Sequence, residues 1–204
     1  MGRTSQSREK LMKAVTELIW TGSYGSTTIE QICERAGVKK GSFYHFFESK
    51  AALATAAIEA DWEEHRPRLN EIFSPVHPPL ERIRRYCGME YDDQAALKSL
   101  HGRTLGCPLC TLGTEICGIE DSLRLKVSEV MDQFRRYFET TIRDAQAEGS
   151  VPVADAGAKA RAVFAYVEGL LAQARIADDV EVLREMERGI LDLLGARSEF
   201  AGRP

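Results

Sequence analysis

The chain has 204 residues, 44% of them hydrophobic and 28% charged, which is typical of a folded globular protein with one or two cores. No run of 18 apolar residues occurs, and the polar N-terminus lacks the apolar stretch of a secretory signal, so we expect a cytoplasmic protein without a membrane span. The net charge of −4 is unevenly distributed: residues 1–50 hold eight Lys or Arg and five Glu (+3), whereas residues 51–204 hold 19 basic and 26 acidic residues (−7). A basic end on an acidic body suits a protein that contacts phosphates at that end.

Three helices are predicted in the first 50 residues. Apolar residues recur there at helical spacing, and nowhere in the chain does a period of two last long enough to predict a sheet. The first helix ends near Thr21, and the second begins in a capping box with Thr27 as N-cap and Glu30 as its partner. Gly37 ends the second helix, and the third spans about residues 40–47. Two short helices joined by a glycine turn are the plan of a helix-turn-helix, in which the second helix enters the major groove of DNA.

Six more helices are predicted in the rest of the chain. Ser49 is placed to cap the fourth, and the proline-rich segment 74–79 separates it from the fifth. The predicted bounds are about 50–73, 80–97, from a break at 102–108 to residue 117, 122–148, 155–177 and 180–195. We therefore expect an all-α protein of about nine helices, with a DNA-binding domain at 1–50 and an effector-binding and dimerisation domain at 51–204. The tail from Ala196 onward is expected to fray.

The third helix carries side chains suited to DNA on its outer face. Four residues lie at its start, where backbone N–H groups and the positive end of the helix dipole favour a phosphate: Lys39, Lys40, Gly41 and Ser42. Tyr44 and His45 are adjacent and project from the outer surface, and Lys50 opens the fourth helix. Cys33 is expected to pack as a small hydrophobic residue on the inner face of the second helix. Three phenylalanines are expected to anchor the inner face of the third helix: Phe43, Phe46 and Phe47.

Residues 27–50 resemble the DNA-binding domain of the TetR family nearly position for position. They read Thr-Thr-Ile-Glu-Gln-Ile-Cys-Glu-Arg-Ala-Gly-Val-Lys-Lys-Gly-Ser-Phe-Tyr-His-Phe-Phe-Glu-Ser-Lys, and a generic helix-turn-helix lacks the Gly-Ser-Phe-Tyr-His-Phe-Phe string. The resemblance, over about residues 8–60, implies a homodimeric regulator, most often a repressor, that binds a palindromic operator in double-stranded DNA. The residues that it implies at the DNA are Thr28, Lys40, Gly41, Ser42, Tyr44, His45 and Lys50. Many relatives have a capping Ser where this chain has Lys39, so a cap is exchanged for a charge.

The body of such a protein dimerises through its last two helices and holds a pocket for a small-molecule effector. The two C-terminal helices of this chain carry broad apolar stripes. These stripes fit a four-helix dimer seam, and they also fit an intramolecular core. Periodicity does not separate the two interpretations.

The segment 106–117 is the second candidate site because it holds three cysteines. Cys107 precedes Pro108, which suits the first turn of a helix, so a thiolate there would be stabilised by the helix dipole, with Arg103 and His101 close in sequence. The segment resembles a TetR subgroup in which a Gly-Cys is followed by a short helix and an acidic stretch, here Glu120-Asp121. Some members of that subgroup sense electrophiles or oxidants through the cysteine that matches Cys107.

Three interpretations of Cys107, Cys110 and Cys117 stay open. The cysteines are packing residues, with Cys110 and Cys117 two turns apart on one helix face. Alternatively they form a thiol sensor, in which Cys107 reacts and Cys110 or Cys117 resolves. The third interpretation is a soft-metal or metalloid site that adds Cys87 or His101, although a single Cys-x-x-Cys does not complete a four-thiolate site.

An enzyme is disfavoured. In a disulfide oxidoreductase the Cys-x-x-Cys motif follows a strand in a βαβ unit, and no strand is predicted here. The sequence also lacks a phosphate-binding glycine loop and a Ser/His/Asp pattern in a supporting context. We therefore expect a regulator without a catalytic site, a resident cofactor or a metal, and a thiol–disulfide enzyme is the distant alternative.

Overall fold

The computed structural model describes residues 2–196 of the chain and shows an all-α fold, as predicted. The described residues contain no strand, and no helix among them is both long and apolar enough to span a membrane. Residues 197–204, which include most of the tail expected to fray, lie outside the described part. The α-helices are α1 (Gly2–Thr21), α2 (Ile29–Ala36), α3 (Lys40–Phe46), α4 (Lys50–Ile72), α5 (Pro79–His101), α6 (Pro108–Ile116), α7 (Asp121–Glu148), α8 (Ala156–Ala177) and α9 (Met186–Leu194).

The start of α2 differs from the prediction by one residue. Thr28, not Thr27, is the N-cap, and its side chain accepts a hydrogen bond from the Gln31 N–H (3.2 Å). The Gln31 side chain completes the capping box by accepting the Thr28 N–H (2.8 Å), so Glu30 is not the partner. Thr27 is buried, and its hydroxyl donates to the Ser23 carbonyl (2.6 Å) instead. The buried hydroxyl is therefore used inside the preceding turn, and the exposed threonine caps the helix.

The C-terminal helix also differs from the prediction. Residues 180–195 were expected to form one helix, but Val180–Glu185 form a 3-10 helix that leads into α9. Asp178 ends α8 in the left-handed conformation (φ 49°), and the Asp179 carboxylate accepts the Glu181 N–H (2.9 Å). These two adjacent caps tighten the connection, and Leu183 and Met186 are buried beneath it.

The helices form two compact units, neither of which is continuous in sequence. The first unit consists of α1 to α3, α4 up to His65, α6, and α7 up to Met131. The second consists of the remainder of α4 and α7 together with α5, the 3-10 helix, α8 and α9. The functional division at residue 50, which was inferred from the sequence, stays a prediction.

The core of the first unit joins the predicted helix-turn-helix to α6 and α7. Leu11, Ile32, Phe43 and Leu53, from four different helices, are fully buried in one cluster. The same cluster includes residues of the two later helices, namely Leu112, Ile116, Leu123 and Val127. Apolar burial therefore packs α6 against the helices that precede it by about 60 residues or more along the chain.

The core of the second unit is built around aromatic side chains. The rings of Phe73, Tyr86 and Phe138 lie 5.0–5.6 Å apart between centroids. Phe138 contacts both other rings edge-to-face, which is a geometry that aromatic pairs prefer, and Phe73 and Tyr86 are tilted by 43°. The inner face of α8 completes this core with Val163, Val167, Leu170, Leu171 and Ala174, all buried.

Candidate nucleic-acid interface and thiol segment

The turn between α2 and α3 requires a glycine. Gly37 adopts the left-handed conformation (φ 64°, ψ 35°), in which its N–H bonds to the last carbonyls of α2. The Val38 N–H then bonds to the Cys33 carbonyl (2.9 Å), which closes the end of the helix. Lys39 occupies the N-cap position of α3 without a side-chain cap hydrogen bond, as its residue type implies. The motif expected from the sequence is therefore present with a defined stop and restart.

The two faces of α3 separate the anchoring residues from the exposed ones. Phe43 and Phe47 are buried, and Phe46 is half-buried against the same core. Tyr44 is 53% exposed although it is a large aromatic side chain, and His45 beside it is also exposed. The exposed residues at the start of the motif are Thr28, Lys39, Lys40 and Gly41, and Ser42 is half-buried. The helix therefore presents basic, small and aromatic groups to the solvent while its phenylalanines hold it in place.

Lys40 is part of an exposed ion pair with Glu30 of α2. The hydrogen bond and the opposite charge raise the pKa of Lys40 and lower the pKa of Glu30. Because both side chains are exposed, water or a stronger anion such as a phosphate can easily replace Glu30 as the partner of Lys40. An exposed ion pair of this kind leaves the lysine available to a ligand.

Lys50 differs from the other predicted DNA contacts because it is turned toward the protein. Its ammonium donates to the carbonyls of Tyr24 (2.7 Å) and Thr27 (2.8 Å), and it lies 4.0 Å from the centroid of the Tyr24 ring. Burial lowers its pKa, while the nearby carboxylates of Glu115 and Glu120 act in the opposite direction. Lys50 thus holds the turn between α1 and α2, and its contact with DNA stays a prediction.

Glu115 and Tyr24 were not predicted from the sequence as functional residues. The Glu115 carboxylate, on α6, accepts the N–H groups of Tyr24 (2.8 Å) and Gly25 (2.6 Å) in the turn between α1 and α2. Tyr24 is buried, and its pKa is raised to about 12 by burial and by the charge of Glu120. No local pattern signals this contact, because Glu115 is about 90 residues away from the turn that it holds.

The cysteines divide into buried and accessible ones, and none of the five forms a disulfide. Cys33 packs in the core of the first unit, as expected, and burial raises its pKa. Burial also raises the pKa of Cys87, and to a much greater extent. Cys107 and Cys110 are half-buried, whereas Cys117 is exposed. The expectation that Cys110 and Cys117 share a helix face is wrong, because α6 ends at Ile116 and Cys117 belongs to the following turn.

The backbone before Cys107 is tightly held. Gly106 has a φ of 67°, and both its N–H and its carbonyl bond to the buried side chain of Gln94 (2.9 and 3.2 Å). A Cβ at this position would lie 2.8 Å from the Leu171 carbonyl oxygen, so α8 approaches the glycine closely. The Arg175 guanidinium donates to the carbonyl of Leu105 (3.0 Å). Cys107 therefore follows a rigid segment.

Cys107 has the position in the chain that the sequence predicted. Pro108 is the first residue of α6, so Cys107 directly precedes a helix N-terminus. In the second unit, burial and the charges of Glu90 and Glu168 raise the pKa of Tyr86, and Cys107 is close enough for its ionisation to add to that effect.

Within residues 2–196 no group of three or more His, Cys, Asp or Glu is placed to hold a metal ion. The donors of the soft-metal interpretation are therefore not assembled in the described part of the chain.

Two family models together match most of the chain. Residues 11–57 match the bacterial regulatory proteins of the tetR family, and residues 79–190 match the tetracyclin repressor-like C-terminal domain. The first match covers the helix-turn-helix, and the second covers α5 to α8 and most of α9.

Individual relatives agree with these matches. The transcriptional regulator AcuR of Cereibacter sphaeroides is 30% identical over 174 residues, which are 84% of this chain and 78% of AcuR. The HTH-type transcriptional repressor NemR of Escherichia coli is 28% identical over 119 residues, or 58% of each chain. The crystal structure of a regulatory protein TetR from Rhodobacter sphaeroides has a TM-score of 0.81 and 28% identity, covering 90% of this chain and 96% of that one. The resemblance of residues 27–50 is thereby confirmed, and the chain belongs to the TetR family of DNA-binding transcriptional regulators.

Proposed function

We propose that this regulator is a repressor that binds a palindromic operator as a homodimer and is released when Cys107 is modified. The exposed face of α3, with Tyr44, His45 and Lys40 outward over a buried phenylalanine anchor, carries the DNA-binding part of the proposal. The E. coli relative NemR is named a transcriptional repressor, which supports repression over activation. A small-molecule ligand that acts next to Cys107 would release the DNA by the same route.

The contacts with DNA are assigned to exposed groups of the helix-turn-helix. The Tyr44 hydroxyl and the ammonium groups of Lys39 and Lys40 supply donors for phosphates, which position a protein on the duplex without reading its sequence. Lys40 exchanges Glu30 for a phosphate at little cost, because the ion pair is exposed. Gly41 has no protein atom within 4 Å of the position of a Cβ, so its surface is open to the DNA backbone. Thr28, Ser42, His45 and Lys50 complete the proposed set.

The outer face of α8 supports a homodimer. It carries small or exposed apolar residues at alternating spacings of four and three, which is the pattern of a helix–helix seam. The members are Ala158, Ala162, Ala165, Gly169, Ala172 and Ile176. Ile176 is 85% exposed, and a Cβ at Gly169 would contact nothing within 4 Å. Small side chains allow two helices to approach closely, and a two-fold seam supplies the two DNA-binding motifs that a palindrome needs.

The proposed dimer predicts the effect of a charge in this seam. An Ala165→Glu variant places two carboxylates at the two-fold contact without entering the monomer core, because Ala165 is exposed. We expect the variant to elute as a folded monomer in size-exclusion chromatography with light scattering, and an Ala147→Glu variant, which makes the same substitution at an exposed position of α7, serves as control. An Ala165→Glu variant that remains dimeric at micromolar concentration would contradict this assignment of the interface.

The proposed release begins with the Cys107 thiolate. The thiolate attacks one carbon of an electrophilic double bond, an S–C bond forms, and the other carbon takes a proton from water. The added group lies at the start of α6, and α6 contributes Leu112 and Ile116 to the core shared with the DNA-binding motif. Modification of Cys107 stabilises a position of α6 in which the helix-turn-helix does not bind DNA. Release requires that the modified protein favour this conformation.

Two measurements test the proposal. First, the wild-type chain is used to select duplexes from a random-sequence library, and the selected sequence should be palindromic, with half-sites about one helical turn apart. A Tyr44→Ala variant should bind this duplex at least about tenfold more weakly, since it loses a proposed contact in both protomers. Second, N-ethylmaleimide should release the wild-type protein but not Cys107→Ser, whereas Cys117→Ser should respond like the wild type. Selection of no common sequence overturns the DNA part, and release of Cys107→Ser overturns the thiol part.

A further inference from the structure

We infer that Glu115 is a positioning residue for DNA binding, because its carboxylate holds the turn from which the helix-turn-helix begins. The inference rests on the proposed DNA-binding function and adds a residue that lies outside the DNA-contacting surface. It also places the control of the motif on α6, the helix that directly follows Cys107.

The contact between Glu115 and the turn is bidentate. One carboxylate oxygen accepts the Tyr24 N–H (2.8 Å), and the other accepts the N–H of the next residue, Gly25 (2.6 Å). Hydrogen bonds to an ionised acceptor are about twice as strong as neutral ones. A Cβ at Gly25 would lie 3.0 Å from the second oxygen, so a glycine permits this close approach of the carboxylate.

Lys50 holds the same turn from its carbonyl side. Its ammonium donates hydrogen bonds to the carbonyls of Tyr24 and Thr27, and it lies over the Tyr24 ring. The N–H groups of the turn therefore face a carboxylate and its carbonyl groups face an ammonium, so each charge meets the peptide dipoles with the favourable sign. The phenol of Tyr24 adds a longer bond of 3.5 Å to Glu120. The turn is thus clamped between the start of α4 and the end of α6.

This clamp sets the position of the DNA-binding helices. Thr28, the N-cap of α2, follows the clamped turn directly, and α2 carries α3 through the Gly37 turn. Without the carboxylate, the two N–H groups bond to water, and the turn samples conformations in which α2 starts elsewhere. Because only the binding-competent fraction contributes to affinity, the apparent Kd rises in inverse proportion to that fraction. Both protomers of a dimer lose their clamp, so the effect is multiplied.

The charge of Glu115 makes the prediction opposite to that of simple electrostatics. Removal of a negative charge from a DNA-binding protein ordinarily strengthens binding, because the phosphates are repelled less. A positioning role predicts weaker binding for Glu115→Gln, which preserves the shape of the side chain but loses its charge and one acceptor. Glu34→Gln is the matched control, since Glu34 is an exposed carboxylate at the end of α2 and lies outside the clamp.

The experiment compares the dimeric wild type with Glu115→Gln, Glu34→Gln and Tyr24→Phe by fluorescence anisotropy on the selected duplex at two salt concentrations. We expect Glu115→Gln to raise the Kd about tenfold with an unchanged salt dependence, because no phosphate contact is lost. Glu34→Gln should bind equally or more tightly, and Tyr24→Phe should stay close to the wild type, because it keeps both backbone bonds to Glu115. An unchanged or lower Kd for Glu115→Gln overturns the inference.

Amide hydrogen exchange gives a readout that does not depend on DNA. The amides of Tyr24 and Gly25 should exchange faster in Glu115→Gln, while those of Ile32 and Cys33 inside α2 keep their protection. Unchanged exchange at Tyr24 and Gly25 overturns the clamp. If the wild type selects no duplex, the proposed DNA-binding function fails, and the exchange rates alone still decide whether Glu115 holds the turn.

Discussion

Replacement of Lys50 by methionine separates the two roles that this lysine has been given. The resemblance to the family places it at a phosphate, whereas in the structure its ammonium bonds to the carbonyls of Tyr24 (2.7 Å) and Thr27 (2.8 Å). Methionine has nearly the same length and removes the charge. The variant therefore tests whether the principal role of Lys50 is to hold the turn or to bind DNA.

The structure sets the expected loss of stability. Each hydrogen bond from a charged donor contributes about 1.5–3 kcal/mol, and the contact with the Tyr24 ring adds about 0.5–1 kcal/mol. Burial of the ammonium, which lowers the pKa of Lys50, offsets part of this sum, because methionine carries no desolvation cost. We expect Lys50→Met to lower the free energy of unfolding by about 2 kcal/mol, since the two carbonyls also lose their donor.

Urea unfolding at fixed protein concentration and DNA titrations across salt measure the two roles separately. A turn-holding lysine predicts lower stability and weaker DNA binding with an unchanged salt slope. A phosphate contact in both protomers predicts a slope that is smaller by about 1.8, with stability unchanged. Lys40→Met is the control, because Lys40 is exposed and its loss should change the slope and leave stability within about 0.5 kcal/mol. Unaltered stability of Lys50→Met would refute the reasoning from its contacts.

Two further predictions concern the second unit. Gly106→Ala should lower the free energy of unfolding by more than about 2 kcal/mol, because left-handed backbone strain adds to a 2.8 Å approach of the new Cβ to the Leu171 carbonyl oxygen. Gly102→Ala is the control, since Gly102 has a similar φ of 73° but open space around it, and it should lower that free energy by only about 1 kcal/mol. Equal losses in urea unfolding would contradict the close packing of Gly106. Burial raises the pKa of Glu90 to about 7, so the folded state favours the protonated carboxyl and ionisation of Glu90 opposes folding. The stability contributed by the protonated form is lost as the pH rises from about 4.5 to 7, and the loss is at most about 3 kcal/mol. Glu90→Gln should remove that part of the pH dependence in urea unfolding measured from pH 5 to pH 8, and an identical profile in wild type and variant would show that ionisation of the half-buried Glu90 does not oppose folding.

The helix-turn-helix was predictable because its signals are short-range. Gly37 marks the left-handed turn, the phenylalanines mark the buried face of α3, and Ser49 caps α4 through the Ala52 N–H (3.0 Å). The one local error, the shift of the capping box from Thr27 to Thr28, has a tertiary cause. Both threonines are competent caps, and burial of Thr27 decides between them.

The cysteine segment was predictable only in part. The position of Cys107 before the first residue of α6 follows from the proline alone. The helix was predicted to end near residue 117, and its observed end at Ile116 leaves Cys117 in the following turn and off the face of Cys110.

Spacing along the chain is sufficient for the helices, their approximate ends and the exposed face of α3, because each depends on residues within one or two turns of each other. Contacts across the fold decide the rest. Residues 22–28 contain no pattern that predicts a contact with a carboxylate about 90 residues away. The sequence around Lys50 likewise does not indicate that its ammonium bonds to the Tyr24 and Thr27 carbonyls. The burial of Leu112 and Ile116 in the core of the DNA-binding unit brings Glu115 to the turn, and that burial depends on the packing of α6 against helices distant in sequence.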